Sequence, residues 1–282
     1  MLDRIPFLAD GSELKKRVIV GSIGAIALIL LISFGGWVGI CVLTLAISLA
    51  MINEFSHMAF SLKDHVEKRY VLLCLTWIVG LGNLISPKSE YELLTFGFLG
   101  LFSFYLFTAD LHSEADFFAH FKELMHSIFG ALYLIFLPLY LTRIQAAGDG
   151  VRWTLLFLLI VWAGDSAAYF VGKKYGKTKL YSLISPKKTY EGAGGGLLAG
   201  ILIALFFKLL FFRAMPWLAV FVIPVLVGVA SQIGDLCESF LKRAYGKKDS
   251  GSILPGHGGF LDRFDGVVFS APVMYACIRI FS

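Results

Sequence analysis

Acidic, basic and hydroxyl side chains gather in three short stretches of this chain, and their spacing limits the chemistry they can support. The last and richest runs Gln232-Ile-Gly-Asp235-Leu-Cys-Glu238-Ser239-Phe-Leu-Lys242-Arg243. It continues through Lys247-Lys248-Asp249-Ser250 and Pro255-Gly-His257-Gly258-Gly259 to Asp262-Arg263-Phe-Asp265. On a helix, Asp235, Ser239 and Lys242 stand at i, i+4 and i+7 and line one stripe. Asp235 and Asp262 arrive from two chain segments, and carboxylates are hard oxygen ligands suited to Mg2+. Asp265 sits beside Asp262 at an expected helix start. Lys242, Arg243, Lys248 and Arg263 can neutralise phosphate oxygens. Metal and cations around a polyphosphate equip a site for phosphoryl or nucleotidyl transfer, where positioning and charge outweigh covalent chemistry. Missing thiolate and paired-His ligands argue against zinc. A charged loop resting among lipid headgroups would explain the lysines, but not the acids or the Gly-flanked His257.

The first stretch is Trp162-Ala-Gly-Asp165-Ser-Ala-Ala-Tyr169-Phe-Val-Gly-Lys173. Asp165 interrupts an apolar run, where an ionised acid is costly unless paired or hydrated. A structural pairing with a lysine is the alternative to a binding role. The second stretch is Ser185-Pro-Lys187-Lys188-Thr189-Tyr-Glu191-Gly192. Lysines, a hydroxyl and a helix N-terminus suit an anion such as phosphate. A basic pair at a membrane face also serves as a topogenic anchor.

These clusters need elements to hold them, and composition says of which kind. Of 282 residues, 57% are hydrophobic and 16% charged, with a mean hydropathy of +0.77. A soluble domain needs more charge to cover its surface. Apolar runs such as Val18–Phe34 and Trp153–Gly172 approach the roughly 20 residues that a helix needs to cross a bilayer. The alternating strands of an outer-membrane barrel are missing. The expected fold is all-α, a polytopic membrane protein with spans near 18–34, 37–53, 70–85, 92–108, 127–142, 153–172, 193–212, 216–241 and 265–281.

With nine spans, most of the 25 Lys and Arg fall in loops on one side. The other side holds only Lys88, Arg143, Arg152, Arg213 and Arg279, and Lys208 lies within a span. The positive-inside rule then puts the N-terminus in the cytoplasm, the C-terminus across the cell (inner) membrane, and all three clusters on the cytoplasmic side. The run after Lys15-Lys16-Arg17 is long and lacks a small-x-small cleavage site, so it reads as an uncleaved first helix.

Polar residues crowd the later spans. Residues 1–150 therefore read as a membrane scaffold or dimer interface, and 151–282 as the catalytic region. Gly192, Gly196 and Gly200 carry the small-xxx-small spacing of close helix packing. Cys41, Cys74, Cys237 and Cys277 lie in apolar stretches without C-x-x-C spacing and read as small buried hydrophobes. His112, Glu114, Asp116, His120 and His126 fit no familiar metal motif and read as a wet interfacial helix. Glu54 to Arg69 reads as a mixed-charge connector. No basic stripe suggests nucleic acid.

The pattern Ser239-x-Leu241-Lys242-Arg243-x4-Lys248-Asp249-x-Gly251-x2-Leu254-Pro255-x-His257-Gly258-Gly259-Phe260-x-Asp262-Arg263-Phe264-Asp265 resembles the signature of the phosphatidate cytidylyltransferase (CDP-diacylglycerol synthase) family at every position. The Asp165 and Ser185–Gly192 stretches resemble that family too, so the likeness spans 160–282; before residue 150 only hydrophobic spans are shared. The resemblance implies a homodimer of nine-span subunits, a polar cavity open to cytoplasm and membrane lipid, and dependence on Mg2+, with a second ion left open. It implies CTP (sometimes dCTP) and phosphatidic acid as substrates.

The same resemblance puts Asp235 and Asp262 first as metal ligands, ahead of Asp265, Asp249, Glu238 and Asp165. Lys188, Lys242, Arg243, Lys248 and Arg263 would neutralise phosphate. Asp165, Ser185, Lys187, Thr189, Glu191, Ser239, Asp249, His257, Gly258 and Gly259 complete the expected substrate-binding set. The implied reaction is attack by a phosphatidate oxygen on the α-phosphorus of CTP with release of pyrophosphate.

Two rivals stand beside this reading. A CTP-dependent lipid kinase would move the γ-phosphoryl group to an alcohol, and the complete signature argues against it. A transporter would use Asp165 and Asp235 as coupling acids, but the chain shows no internal repeat and its acids sit near span ends.

Overall fold

A computed structural model describes residues 27–60, 66–86, 90–251 and 259–282. Helix α1 covers Gly36–Ala59, α2 Val66–Ile85, α3 Glu90–Phe107 and α4 Glu114–Ala131. A π-helical turn, Leu132–Phe136, leads into α5, Leu139–Ala146. Helix α6 is Gly150–Tyr175, followed by strands β1 (Lys179–Tyr181) and β2 (Ser185–Thr189). Helices α7 (Tyr190–Leu210), α8 (Trp217–Ala244) and α9 (Leu261–Phe281) complete the chain.

Seven described stretches are long and apolar enough to cross a membrane: α1, α2, the continuous Glu114–Ala146, α6, α7, α8 and α9. The apolar part of α3, Tyr91–Phe107, is shorter. This is a helical, multi-pass membrane protein. Of the expected spans, 18–34 lies largely outside the described residues, which hold only its helical end at 27–34; the other eight fall on the helices above. The fold is all-α as expected, apart from one short hairpin between α6 and α7. Strands β1 and β2 pair antiparallel, Lys179 opposite Thr189 and Tyr181 opposite Ser185, where only a Pro-broken loop was expected.

Small residues set the closest crossing. A Cβ on Gly192 would lie 2.7 Å from the Ala168 carbonyl oxygen, and one on Gly196 2.8 Å from that of Gly164. Without those side chains α6 and α7 approach backbone to backbone, as the spacing of Gly192 and Gly196 predicted. Gly234 and Gly266 do the same for α8 and α9. A Cβ on Gly234 would meet the Asp265 carbonyl oxygen at 2.7 Å, and one on Gly266 the Ser231 hydroxyl at 2.5 Å. The carboxylates next to these glycines, Asp235 and Asp265, are therefore brought together.

The π turn arises where the Leu137 amide reaches back to the Leu132 carbonyl at 3.2 Å, one residue before Pro138, which has no amide to donate. Two apolar cores result. One joins Trp153 and Phe157 of α6 to Ile223 of α8 and Met274 of α9; the other joins Met51 and Phe55 of α1 to Leu134 and to Leu261 and Val268 of α9. Lys208, inside a span as expected, is buried and donates to the carbonyls of Arg213 (3.0 Å) and Met215, so its charge is met by backbone oxygens. Cys41 and Cys277 are buried as expected, whereas Cys74 is exposed and Cys237 half-buried. Ser113 caps α4, accepting from the Asp116 amide at 3.2 Å, so the His112–His126 stretch is helical for most of its length.

Candidate active site

The C-terminal halves of α6 and α8 and the N-terminal end of α9 surround a cavity of ≈ 860 Å³. Helix α6 contributes Asp165, α8 Asp235, Glu238 and Lys242, the following loop Asp249, and α9 Asp262, Arg263 and Asp265. On α8 the cavity side runs through Asp235, Glu238 and Lys242, at i, i+3 and i+7. Glu238 thus takes the place expected for Ser239, which is half-buried outside the lining.

Asp235, Glu238 and Asp265 each bring one carboxylate oxygen within 4.8 Å of the others. Glu238 is 1% exposed, and its Oε1 has no hydrogen-bond partner. Asp265 Oδ1 accepts from the Gly266 amide at 2.7 Å. Cations flank the trio: Lys188 Nζ is 2.5 Å from Asp235 Oδ2, and Lys242 Nζ is 2.7 Å from Glu238 Oε2. Three carboxylates this close repel one another, most strongly at the buried Glu238. An unpartnered buried oxygen among them is what a divalent cation, which needs several oxygen ligands, would satisfy. The donor set fits such an ion.

Asp262, expected as a ligand, stands beside this trio rather than in it. Its Oδ1 is 2.5 Å from Lys242 Nζ, and its Oδ2 accepts from the Ser250 hydroxyl (2.9 Å), the Ser250 amide (3.2 Å) and the Gly259 amide (3.0 Å). Lys242 bridges Glu238 and Asp262 and so ties the trio to the loop.

The second cluster divides by role. Lys188 reaches the site, while Lys187 is exposed and Ser185 half-buried on β2. Thr189 caps α7, its hydroxyl accepting from the Gly192 amide at 3.2 Å. Glu191 accepts from the amides of Lys177 and Thr178, each at 3.1 Å, and closes the base of the hairpin. Arg243 and Lys248 are exposed and lie outside the cavity lining. His257 and Gly258 lie outside the described residues.

Two residues at the site had no place in the sequence reading. Glu54, assigned to a connector, is 3% exposed because α1 continues to Ala59; its carboxylate meets Ser250 Oγ at 3.1 Å and the amides of Phe260 and Leu261 at 2.9 and 3.0 Å. Its signal was slight: an acid just past the apolar run 37–53, between Asn53 and the Ser56-His57 pair. Tyr133, in the π turn, buries a hydroxyl without a partner, its ring 6.3 Å from that of Phe269 on α9. No sequence signal marked it.

An acid-lined cavity at the ends of membrane-length helices, its carboxylates bridged by lysines, is the site of a polytopic membrane enzyme. A family model described as the cytidylyltransferase family matches residues 15–281, and the chain belongs to that family; it is a nucleotidyltransferase. The chain is 32% identical over 276 residues to a phosphatidate cytidylyltransferase of Bacillus subtilis (strain 168), covering 96% of this chain and 99% of that protein. It is 35% identical over 273 residues to the phosphatidate cytidylyltransferase of Brucella suis biovar 1 (strain 1330), covering 96% and 95%. A phosphatidate cytidylyltransferase of Staphylococcus saprophyticus is 43% identical over 140 residues, 49% of this chain and 52% of that protein.

Proposed function

We propose that the protein joins CTP to phosphatidic acid, giving CDP-diacylglycerol and pyrophosphate. The observation that carries this reading is the Asp235–Glu238–Asp265 trio with Lys188 and Lys242 against it, in a chain matched nearly end to end by relatives bearing that name.

A phosphatidate oxygen attacks the α-phosphorus of CTP, the new P–O bond forms, and the bond to the β-phosphate bridging oxygen breaks. The attacking oxygen is already anionic near neutral pH, so no strong general base is required. The difficulty is bringing two polyanions together. Lys188 and Lys242, with Arg263 from α9, offer positive charge to phosphate oxygens. Asp235, Glu238 and Asp265 would hold Mg2+, a Lewis acid that offsets charge on phosphate oxygens. Asp262 orients Lys242 and fixes the loop through Ser250 and Gly259. Asp165 faces the same cavity and leaves room for a second ion. Lys187, Arg243 and Lys248, with Ser185, Ser239 and Asp249, form the outer substrate contacts.

The site faces the cytoplasm, where CTP is found, the N-terminus lies on that side and the C-terminus across the cell membrane. Basic residues crowding the loops at the site's end of the helices support this orientation. Residues 1–150 serve as scaffold and as homodimer interface, and 151–282 carry the chemistry.

Purified protein given cytidine-labelled CTP, phosphatidate and Mg2+ should place label in chloroform-soluble lipid with one pyrophosphate per lipid formed. Release of CDP with unlabelled lipid would point to a kinase. No incorporation by membranes that contain folded protein would remove the enzymatic reading.

A further inference from the structure

Helix α1 contributes a carboxylate to the loop on which the proposed reaction depends. Glu54 takes the first amides of α9 pairwise: Phe260 N donates to Oε1 at 2.9 Å and Leu261 N to Oε2 at 3.0 Å. Helix N-termini leave such amides without intrahelical partners, and a negative charge there also opposes the helix dipole. The N-cap residue, Phe260, makes no side-chain cap bond of its own. The cap comes instead from some 200 residues earlier in the chain, the separation between Glu54 and Phe260 being 206.

The same carboxylate holds the other end of the loop. Ser250 Oγ lies 3.1 Å from Glu54 Oε2 and 2.9 Å from Asp262 Oδ2. Two glycines make the approach physically allowed. A Cβ on Gly251 would stand 2.6 Å from Glu54 Oε1, and one on Gly259 2.5 Å from Glu54 Oε2. Both flanks of 252–258, the segment containing His257 and Gly258, therefore converge on one buried group.

We infer that Glu54 is a positioning residue: it clamps both ends of the 250–261 segment and so fixes Asp262, and through Asp262 Lys242, against the acid trio. This rests on the proposed cytidylyl transfer for its kinetic consequence, though not for its structural one. A carboxylate is required because two consecutive amides need two acceptor oxygens. Glutamine has one, and would turn an NH2 group towards the other amide.

Full-length Glu54→Gln, purified in detergent, tests this by hydrogen exchange and by kinetics. Exchange at the Phe260 and Leu261 amides should quicken by about tenfold or more. In the same preparation kcat should fall by about tenfold or more, with a raised KM for CTP, as expected when a positioned group drifts. Loss of folded molecules alone would lower the apparent kcat and leave KM unchanged, and that result overturns the inference. So does quickened exchange with wild-type kcat and KM, or unchanged exchange. Should Glu54→Gln fail to accumulate, Ser250→Ala removes the hydroxyl shared by the two carboxylates and is read by kinetics alone: kcat should fall and KM for CTP rise, and wild-type values of both overturn the inference. A wild-type protein that makes no cytidylylated lipid would count against the reaction, and leaves the exchange measurement standing.

Discussion

Lys188 Nζ stands 2.5 Å from Asp235 Oδ2, linking the β1–β2 hairpin to helix α8. The Asp235 side chain is 41% exposed and that of Lys188 23%, with the Lys188 ammonium itself covered. A lysine that neutralises an acid in the free protein is also placed to turn towards an incoming phosphate. Lys188→Ala should lower kcat/KM by about tenfold or more, through loss of charge on the bound polyphosphate. Steady-state transfer of labelled CTP to lipid measures this; a variant with wild-type kcat/KM would limit Lys188 to holding the hairpin.

Asp235→Asn and Asp262→Asn should each reduce turnover by at least about 10², but for different reasons. Asp235 belongs to the trio, so its variant should need much more Mg2+ for half-maximal activity. Asp262 is committed to Lys242, Ser250 and Gly259, so its variant should keep a nearly wild-type Mg2+ requirement. Mg2+ titrations of both variants separate the roles. A large shift for Asp262→Asn alone would move the ion to the other side of Lys242.

Glu238→Gln removes a charge from a group that is 1% exposed. In chelator the substitution relieves repulsion with Asp235 and Asp265 but also removes the ion pair with Lys242, so the response to Mg2+ and not the midpoint in chelator carries the test. Addition of Mg2+ should stabilise the wild type, by an amount approaching ~2.7 kcal/mol at a hundredfold excess over Kd, and so raise its midpoint. The variant should gain little. Thermal scans with Mg2+ and with EDTA decide it, and an equal gain in both proteins would exclude Glu238 as a ligand.

Gly196→Val places a side chain against the Gly164 carbonyl, 2.8 Å from the nearest point of a Cβ. Overpacking of this kind should destabilise by about 1–3 kcal/mol and pry α7, with the hairpin and Lys188, away from α6. Unfolding in mixed detergent gives the stability. Gly194→Val, where a Cβ would meet nothing within 4 Å, is the matched control and should be near neutral.

The sequence showed the helical membrane fold clearly, because a bilayer imposes a length on apolar runs that no tertiary contact overrides. The approach of α6 and α7 was equally readable, since glycines four apart have a packing consequence of their own. The polar end of the fold was partly readable. Asp235, Lys242, Asp262 and Asp265 were placed by helical spacing and by the signature. The choice between Ser239 and Glu238 was not, for both lie within reach of the same helix face and only the crossing with α9 selects one. The hairpin escaped notice because its strands are short and rich in lysine and proline. Glu54 and Tyr133 were hidden for another reason: their relation to the site is made wholly by packing between distant segments.

Because the Leu137 amide reaches back to Leu132, the π turn stores one residue more than an α-helix would over the same rise. Losing a single residue from Leu132–Phe136 would convert it to ordinary helix while α4 and α5 stay in phase. The same deletion elsewhere in Glu114–Ala146 would rotate everything beyond it by about 100°, turning Arg143 from the Tyr91 ring it now covers at 4.9 Å. The stretch is a length buffer, and shortened variants of this chain should survive there and fail on either side.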